Sequence, residues 1–159
     1  MSDQIGFIGL GEMGFPMAKN LLDAGYAVTC FDKVEEPVRA LQGLGARSAT
    51  SPADVAKNSE KMVVMVRTTE QAESVISGPE GLLSVARSGS CILLMSTVHP
   101  VSVQKMSRVS AELGVMLLDC PVSGAKQGAE AGTLTIMVGG DEETYKGCFP
   151  VFDVLGKSI

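Results

Sequence analysis

At 159 residues the chain is long enough for one domain with a substantial core and short for two. Its composition, 45% apolar and 19% charged, is that of an ordinary globular protein, and no apolar run reaches the length that crosses a bilayer, so no membrane partner is expected. A formal net charge of −5 argues against nucleic acid as a partner, because phosphate backbones are met by basic faces.

The N-terminal "MSDQ" has neither a basic stretch nor a following apolar segment, so no secretory signal is expected. Cys30, Cys91, Cys120 and Cys148 are widely spaced, form no C-x-x-C pair, and three of them fall in or at the end of apolar runs. They read as small buried hydrophobes in a reducing, cytoplasmic setting. One histidine, His99, builds no metal site unaided, and no metal is expected.

Apolar strand-like runs alternate with helical segments along the whole chain. "QIGFIG" reads as a strand, "MGFPMAKNLLDAG" as a helix stopped by Gly25, and "AVTCFD" as a second strand ending at Asp32. "EEPVRALQGLG" is a helix with acids and Pro37 at its start, and "SPADVAKN" another, with Ser51 as N-cap and Pro52 in the first helical position. "KMVVMV" is a strand, and "TTEQAESVI" a helix with Thr68 and Gln71 spaced as a capping box. "CILLMS", a Pro-led helix "PVSVQKMSRVSAELG", the strands "VMLLDC" and "TLTIMVGG", and the helix "DEETYKGCFPVF" follow. Strands that are apolar throughout have both faces covered. The alternation predicts an α/β fold: a Rossmann-type, doubly wound, mainly parallel sheet with helices on both faces.

Gly9, Gly11 and Gly14 form a G-x-G-x-x-G array that follows a strand and opens a helix. An acid, Asp32, ends the next strand eighteen positions after Gly14. In a dinucleotide site Gly9 permits the tight turn, Gly11 lets the pyrophosphate approach the backbone, and Gly14 lets helix and strand pack closely. The helix N-terminus suits the diphosphate. Asp32 suits an adenine ribose 2′-hydroxyl and opposes a 2′-phosphate, which favours NAD; Lys33, directly after it, is the residue that would admit NADP. Methyltransferases and FAD proteins share parts of this pattern, and the glycine array alone leaves them open.

A second informative stretch is "LLDCPVSGAKQGAEAGTLTIMVGG", residues 117 to 140. Pro121 interrupts a strand just past its end, and Ser123 and Gly124 then offer a hydroxyl and an unencumbered N–H at a strand's carboxyl end. That suits a small carboxylate held by hydrogen bonds. Gly124, Gly128 and Gly132 recur every four residues, the spacing of closely packed backbone.

With "GFIGLGEMGFPMAKNLL", "MSTVHP" and "DCPVSGAKQGAEAGTLTIMVGG" together, the chain resembles the β-hydroxyacid dehydrogenase family over its whole length. That family includes 3-hydroxyisobutyrate dehydrogenases and 2-hydroxy-3-oxopropionate reductases, and the resemblance sets the methyltransferase and FAD readings aside. It implies hydride transfer between NAD (or less favourably NADP) and a small β-hydroxy acid such as 3-hydroxyisobutyrate, tartronate semialdehyde or glycerate. Residues 6 to 20 would line the diphosphate side, with Gly9, Leu10, Gly11, Glu12, Met13 and Gly14 at its centre and Asp32 and Lys33 at the adenosine. Val66 and Arg67 would lie along the cofactor; Arg67 departs from the family's usual Leu-Pro and reads equally as a solvated loop charge. Thr97 would stand beside the nicotinamide, and Ser123, Gly124 and Ala125 would hold the substrate carboxylate. Ala125 replaces the second glycine of the usual S-G-G. His99, before Pro100, reads as a loop or cap residue.

Hydride transfer also needs an acceptor for the hydroxyl proton. In the family this is a lysine in a G-x-x-x-K-x-x-N motif on the helix that begins an all-helical C-terminal domain, and residues 1 to 159 contain no such motif. Lys126 and Lys157 match no family position. The resemblance therefore puts the catalytic lysine beyond Ile159. It implies that residues 1–159 are an NAD(P)-binding domain without a catalytic residue of its own, from a longer protein that is homo-oligomeric. A short NAD-binding sensor or interaction module is the alternative.

Overall fold

The computed structural model describes residues 3–159; Met1 and Ser2, which open the segment read for a signal, lie outside the described residues. Six strands build the main sheet: β1 (Gln4–Ile8), β2 (Ala27–Phe31), β3 (Arg47–Ser48), β4 (Lys61–Val64), β5 (Cys91–Leu94) and β6 (Met116–Asp119). Their order is β3-β2-β1-β4-β5-β6. Every pairing is parallel, with Phe7 of β1 opposite Cys30 on one side and Val63 on the other.

Between these strands run α1 (Gly14–Asp23), α2 (Glu35–Gly43), α3 (Pro52–Lys57), α4 (Thr69–Ser77) and α5 (Pro100–Glu112), and a single 3-10 turn spans Leu82–Ser84. The local signals act as the sequence predicts. The Ser51 hydroxyl accepts from the Asp54 N–H at 3.1 Å, and Thr68 and Gln71 form a complete capping box.

Adjacent residues of one strand face opposite ways, so the sheet divides the core in two. Ile5, Phe7 and Leu93 pack with Met17 and Leu21 of α1 and Leu41 of α2. Ile8, Val64, Ile92 and Leu94 pack with Val55 of α3, Ile76 of α4 and Met106 of α5. The helices therefore cover both faces, and the doubly wound expectation holds.

Beyond β6 the chain departs from one continuous sheet. β7 (Val122–Ser123), α6 (Ala125–Ala131), β8 (Leu134–Ile136), α7 (Glu142–Leu155) and β9 (Gly156–Ser158) complete the order. β7, β8 and β9 form a second, three-stranded sheet, antiparallel between β7 and β8 and parallel between β8 and β9. Reciprocal N–H···O bonds between Asp119 and Gly139, at 3.0 and 2.8 Å, fasten this unit to the edge of β6. Phe152 and Leu155 of α7 are buried in the first core cluster. The spacing of Gly124, Gly128 and Gly132 proves to be that of α6: Gly124 caps it, Gly128 is buried against Leu134, and Gly132 ends it in a left-handed conformation. No helix among the described residues is long and apolar enough to cross a membrane.

Candidate functional site

Strand order reverses between β1 and β4, and crevices at such a point, outside the carboxyl ends of the strands, are where open α/β sheets bind ligands. The glycine loop occupies one lip. Gly9 follows β1 with φ +94°, and a Cβ there would collide with the Met65 carbonyl; a Cβ on Gly14 would collide with the Gly9 carbonyl oxygen. A Cβ on Gly11 would meet nothing within 4 Å. The first and third glycines are thus required by the chain's own packing, whereas the second borders open space. Glu12 is exposed and Met13 half-buried. Met13 precedes α1 without a side-chain hydrogen bond, so the N–H groups of the first turn have no capping side chain.

Asp32 stands just past β2. Its Oδ2 accepts from the Leu10 N–H at 2.7 Å and its Oδ1 from the Val34 N–H at 2.8 Å. A carboxylate has about four lone-pair sites, so two backbone bonds orient the group and leave capacity for a hydroxyl. Lys33 is exposed beside it, and a cavity of about 500 Å³ opens here between the ends of β2 and β3 and helix α2.

The other lip is the loop after β4. The Val66 N–H donates to Ser96 Oγ at 2.8 Å, tying the end of β4 to the end of β5, and Val66 Cγ1 lies 3.2 Å from where a Cβ on Gly9 would stand. Ser96 is buried and is not among the residues the sequence singles out; the one available signal is a hydroxyl closing the apolar run "CILLMS". Arg67 is exposed, with its N–H on Gln71 Oε1 at 3.0 Å, so the capping box of α4 also holds this loop. Thr97, next after Ser96, is exposed at the same end of the sheet. His99 is a cap: its Nδ1 accepts from the Val101 N–H at 3.3 Å at the start of α5.

The segment carrying Ser123 is held near β5 by a bond from the Cys120 N–H to the Leu94 carbonyl at 2.8 Å. Ser123 is exposed, Gly124 has φ +138°, and Ala125 has φ +52°, alone in that region among the described non-glycine residues. The backbone at Ala125 therefore has the conformation that favours glycine.

The remaining candidates fall outside the crevice. Gly6 is buried in β1 against Val55, and Asn20 Nδ2 donates to the Ala129 carbonyl at 2.8 Å, joining α1 to α6. Lys126 is exposed with its Nζ 3.8 Å from Glu130, and Lys157 is exposed in β9. Ile159 follows directly on β9 with its side chain exposed. All four cysteines are free and buried; burial pushes the Cys30 thiol up to about 11 and the Cys120 thiol well up, which suits inert packing groups at those two positions. No cluster of metal-ligating side chains occurs among the described residues.

Residues 4–159 match the family described as the NAD binding domain of 6-phosphogluconate dehydrogenase. The chain is 46% identical over 158 residues to the 2-(hydroxymethyl)glutarate dehydrogenase of Eubacterium barkeri, covering 99% of this chain and 52% of that protein. It is 42% identical over 156 residues to an NAD-dependent L-serine dehydrogenase of Pseudomonas aeruginosa, covering 98% and 52%. The structure of the Mycobacterium tuberculosis 3-hydroxyisobutyrate dehydrogenase with L-serine superposes with a TM-score of 0.89 at 32% identity, over 100% of this chain and 54% of that one. The chain thus spans about half the length of the relatives it matches. Its glycine loop, its acid at the end of β2 and this match over nearly its full length place it in one group: the chain belongs to the family of NAD-binding domains typified by 6-phosphogluconate dehydrogenase.

Proposed function

We propose that residues 1–159 form one domain, the NAD-binding part of a dehydrogenase that acts on small β-hydroxy acids. NAD, when bound, would accept the hydride from the substrate carbon. The chain's own residues supply position and hydrogen bonds. Gly9 to Gly14 present the first turn of α1 to the diphosphate, Asp32 accepts from the adenine ribose, and Lys33, Val66 and Arg67 border the cofactor. Thr97 stands at the nicotinamide end. Ser123 donates its hydroxyl proton to the substrate carboxylate, and Gly124 and Ala125 shape the loop that holds it.

The observation that carries this reading is Gly11. It stands where strand order reverses, a Cβ on it would meet nothing within 4 Å, and Asp32, which flanks the loop, is already oriented by two backbone bonds. The relatives' activities supply the substrate class. The hydroxyl proton needs an acceptor, and the candidates here are otherwise engaged: His99 Nδ1 caps α5 and Lys126 lies beside Glu130. We assign that role to the family's lysine, beyond the position that Ile159 holds, in the part of the relatives that this chain does not span. The contacts that make a homo-oligomer are assigned to the same part. Four free cysteines fit a reducing compartment, the cytoplasm.

Calorimetric titration of the chain with NAD tests the reading. A saturable isotherm is expected, without NADH formation when 3-hydroxyisobutyrate, glycerate or L-serine is added. No NAD binding overturns the proposal, and sustained turnover overturns the assignment of the proton acceptor elsewhere.

A further inference from the structure

The cavity beside Asp32 is lined by four charged side chains, Asp32, Lys33, Glu35 and Arg39, together with Gln42 and Ser48. The two acids and two bases cancel in formal charge. Glu35 and Arg39 lie one helical turn apart on α2, with Glu35 Oε2 2.7 Å from Arg39 Nη2. Gln42 Nε2 donates to Ser48 Oγ at 2.9 Å, which leaves the serine its own proton to donate.

A 2′-phosphate on the adenine ribose would bring about two further negative charges to this cavity. Its donors are those a phosphate uses: an ammonium, a guanidinium and a hydroxyl. Opposition comes from two carboxylates in different circumstances. Asp32 is fixed by backbone N–H groups, so its place does not depend on other side chains. The Glu35 carboxylate is instead engaged by Arg39, and its effect is to neutralise and occupy that guanidinium. We infer that Glu35 is a second specificity determinant, which keeps Arg39 from a 2′-phosphate and so strengthens the preference for NAD over NADP. This rests on the adenosine end of the cofactor lying at Asp32, as the proposed function has it.

The pair is exposed, with side-chain accessibilities of 79% for Glu35 and 76% for Arg39, so the ion pair itself adds little to stability and either residue can be changed without threatening the fold. Removing one negative charge near a doubly charged phosphate in water, with ordinary salt screening, improves binding about three- to tenfold. The test is calorimetric titration of the chain with NAD and with NADP for the unmodified protein, Glu35→Gln, Arg39→Ala and the double variant. Glu35→Gln is expected to tighten NADP by that factor and to leave NAD within about twofold, the latter because the ribose 2′-hydroxyl carries no charge. In the Arg39→Ala background the same substitution is expected to give a clearly smaller gain, because only the direct repulsion between Glu35 and the phosphate is then relieved. NAD binding with NADP affinity unmoved by Glu35→Gln overturns the inference alone. A gain of undiminished size without Arg39 overturns the route through the guanidinium. Loss of NAD binding in the unmodified chain overturns the placement of the cofactor itself.

Discussion

The Leu10 N–H donates to the Asp32 carboxylate at 2.7 Å, joining the glycine loop to the end of β2 across twenty-two positions of sequence. Asp32 therefore has two duties, since the carboxylate that would meet the ribose also holds the loop that would meet the diphosphate. Asp32→Asn keeps one carbonyl acceptor but sets an amide donor against a backbone N–H, at a cost of about 1–3 kcal/mol. For a domain of this size that lowers Tm by roughly 2–4 °C per kcal/mol. The NADP-to-NAD affinity ratio should rise about tenfold as the charge disappears. Thermal melts and paired titrations check both; an unchanged ratio with a lowered Tm removes Asp32 from the ribose site and leaves it a loop anchor.

The three glycines divide into two classes that mutagenesis separates. Gly9→Ala and Gly14→Ala drive a methyl group into a carbonyl oxygen, and both are expected to be poorly folded. Gly11→Ala meets open space and should hold stability within the roughly 0.5 kcal/mol typical of surface changes, while NAD affinity falls at least about tenfold. Circular dichroism melts with NAD titration decide it. Full NAD affinity in a folded Gly11→Ala chain would falsify the placement of the diphosphate.

Ala125 sits at φ +52°, where an L side chain costs roughly 1–2 kcal/mol and glycine costs none. Ala125→Gly gives part of that back to the entropy of the unfolded chain. A net stabilisation of about 0.5–1 kcal/mol is expected in urea unfolding. A destabilised variant would show instead that the methyl group contributes packing at the start of α6.

Burial pushes the Asp119 carboxyl above its ordinary value of 3.8, so the folded chain holds that proton more tightly than the unfolded one. Stability from this group is fully present below the ordinary value and is lost as pH rises through the higher folded value. Asp119→Asn removes the charge and keeps the shape. Its Tm should exceed that of the unmodified chain near neutral pH, and the two should converge as pH falls below the carboxyl's ordinary value. A difference that is constant across that range would mean the carboxylate is not the cause.

Much of this was legible in the order of residues alone. Ser51 and Thr68 announce helix starts because their hydroxyls satisfy local N–H groups, and the runs around Phe7, Val63 and Leu93 are apolar throughout because each strand is buried on both faces. β3, β7 and β9 escaped, being two or three residues long with mostly exposed or half-buried positions and no apolar period to read. α6 escaped because "AKQGAEA" contains a glycine and has only Gly128 and Ala129 buried, a pattern without an amphipathic stripe. At the site, Gly9, Gly14 and Asp32 stand out because each answers a steric or hydrogen-bonding demand within one β-α-β unit, and Gly11 because it completes the spacing of the array. Ser96 answers a demand between strands, from a backbone N–H thirty positions away, and nothing local signals that.

Ser96 and Asp32 each bind one backbone N–H of the two lips, at Val66 and at Leu10. The mouth of the crevice is therefore shaped before a ligand arrives, and binding need not freeze those loops. In hydrogen exchange, the Val66 and Leu10 amides should be protected in the ligand-free chain, with NAD adding protection chiefly at Gly11 to Met13. A dinucleotide entering such a mouth loses its own flexibility but little of the protein's, which leaves more of the contact energy for affinity.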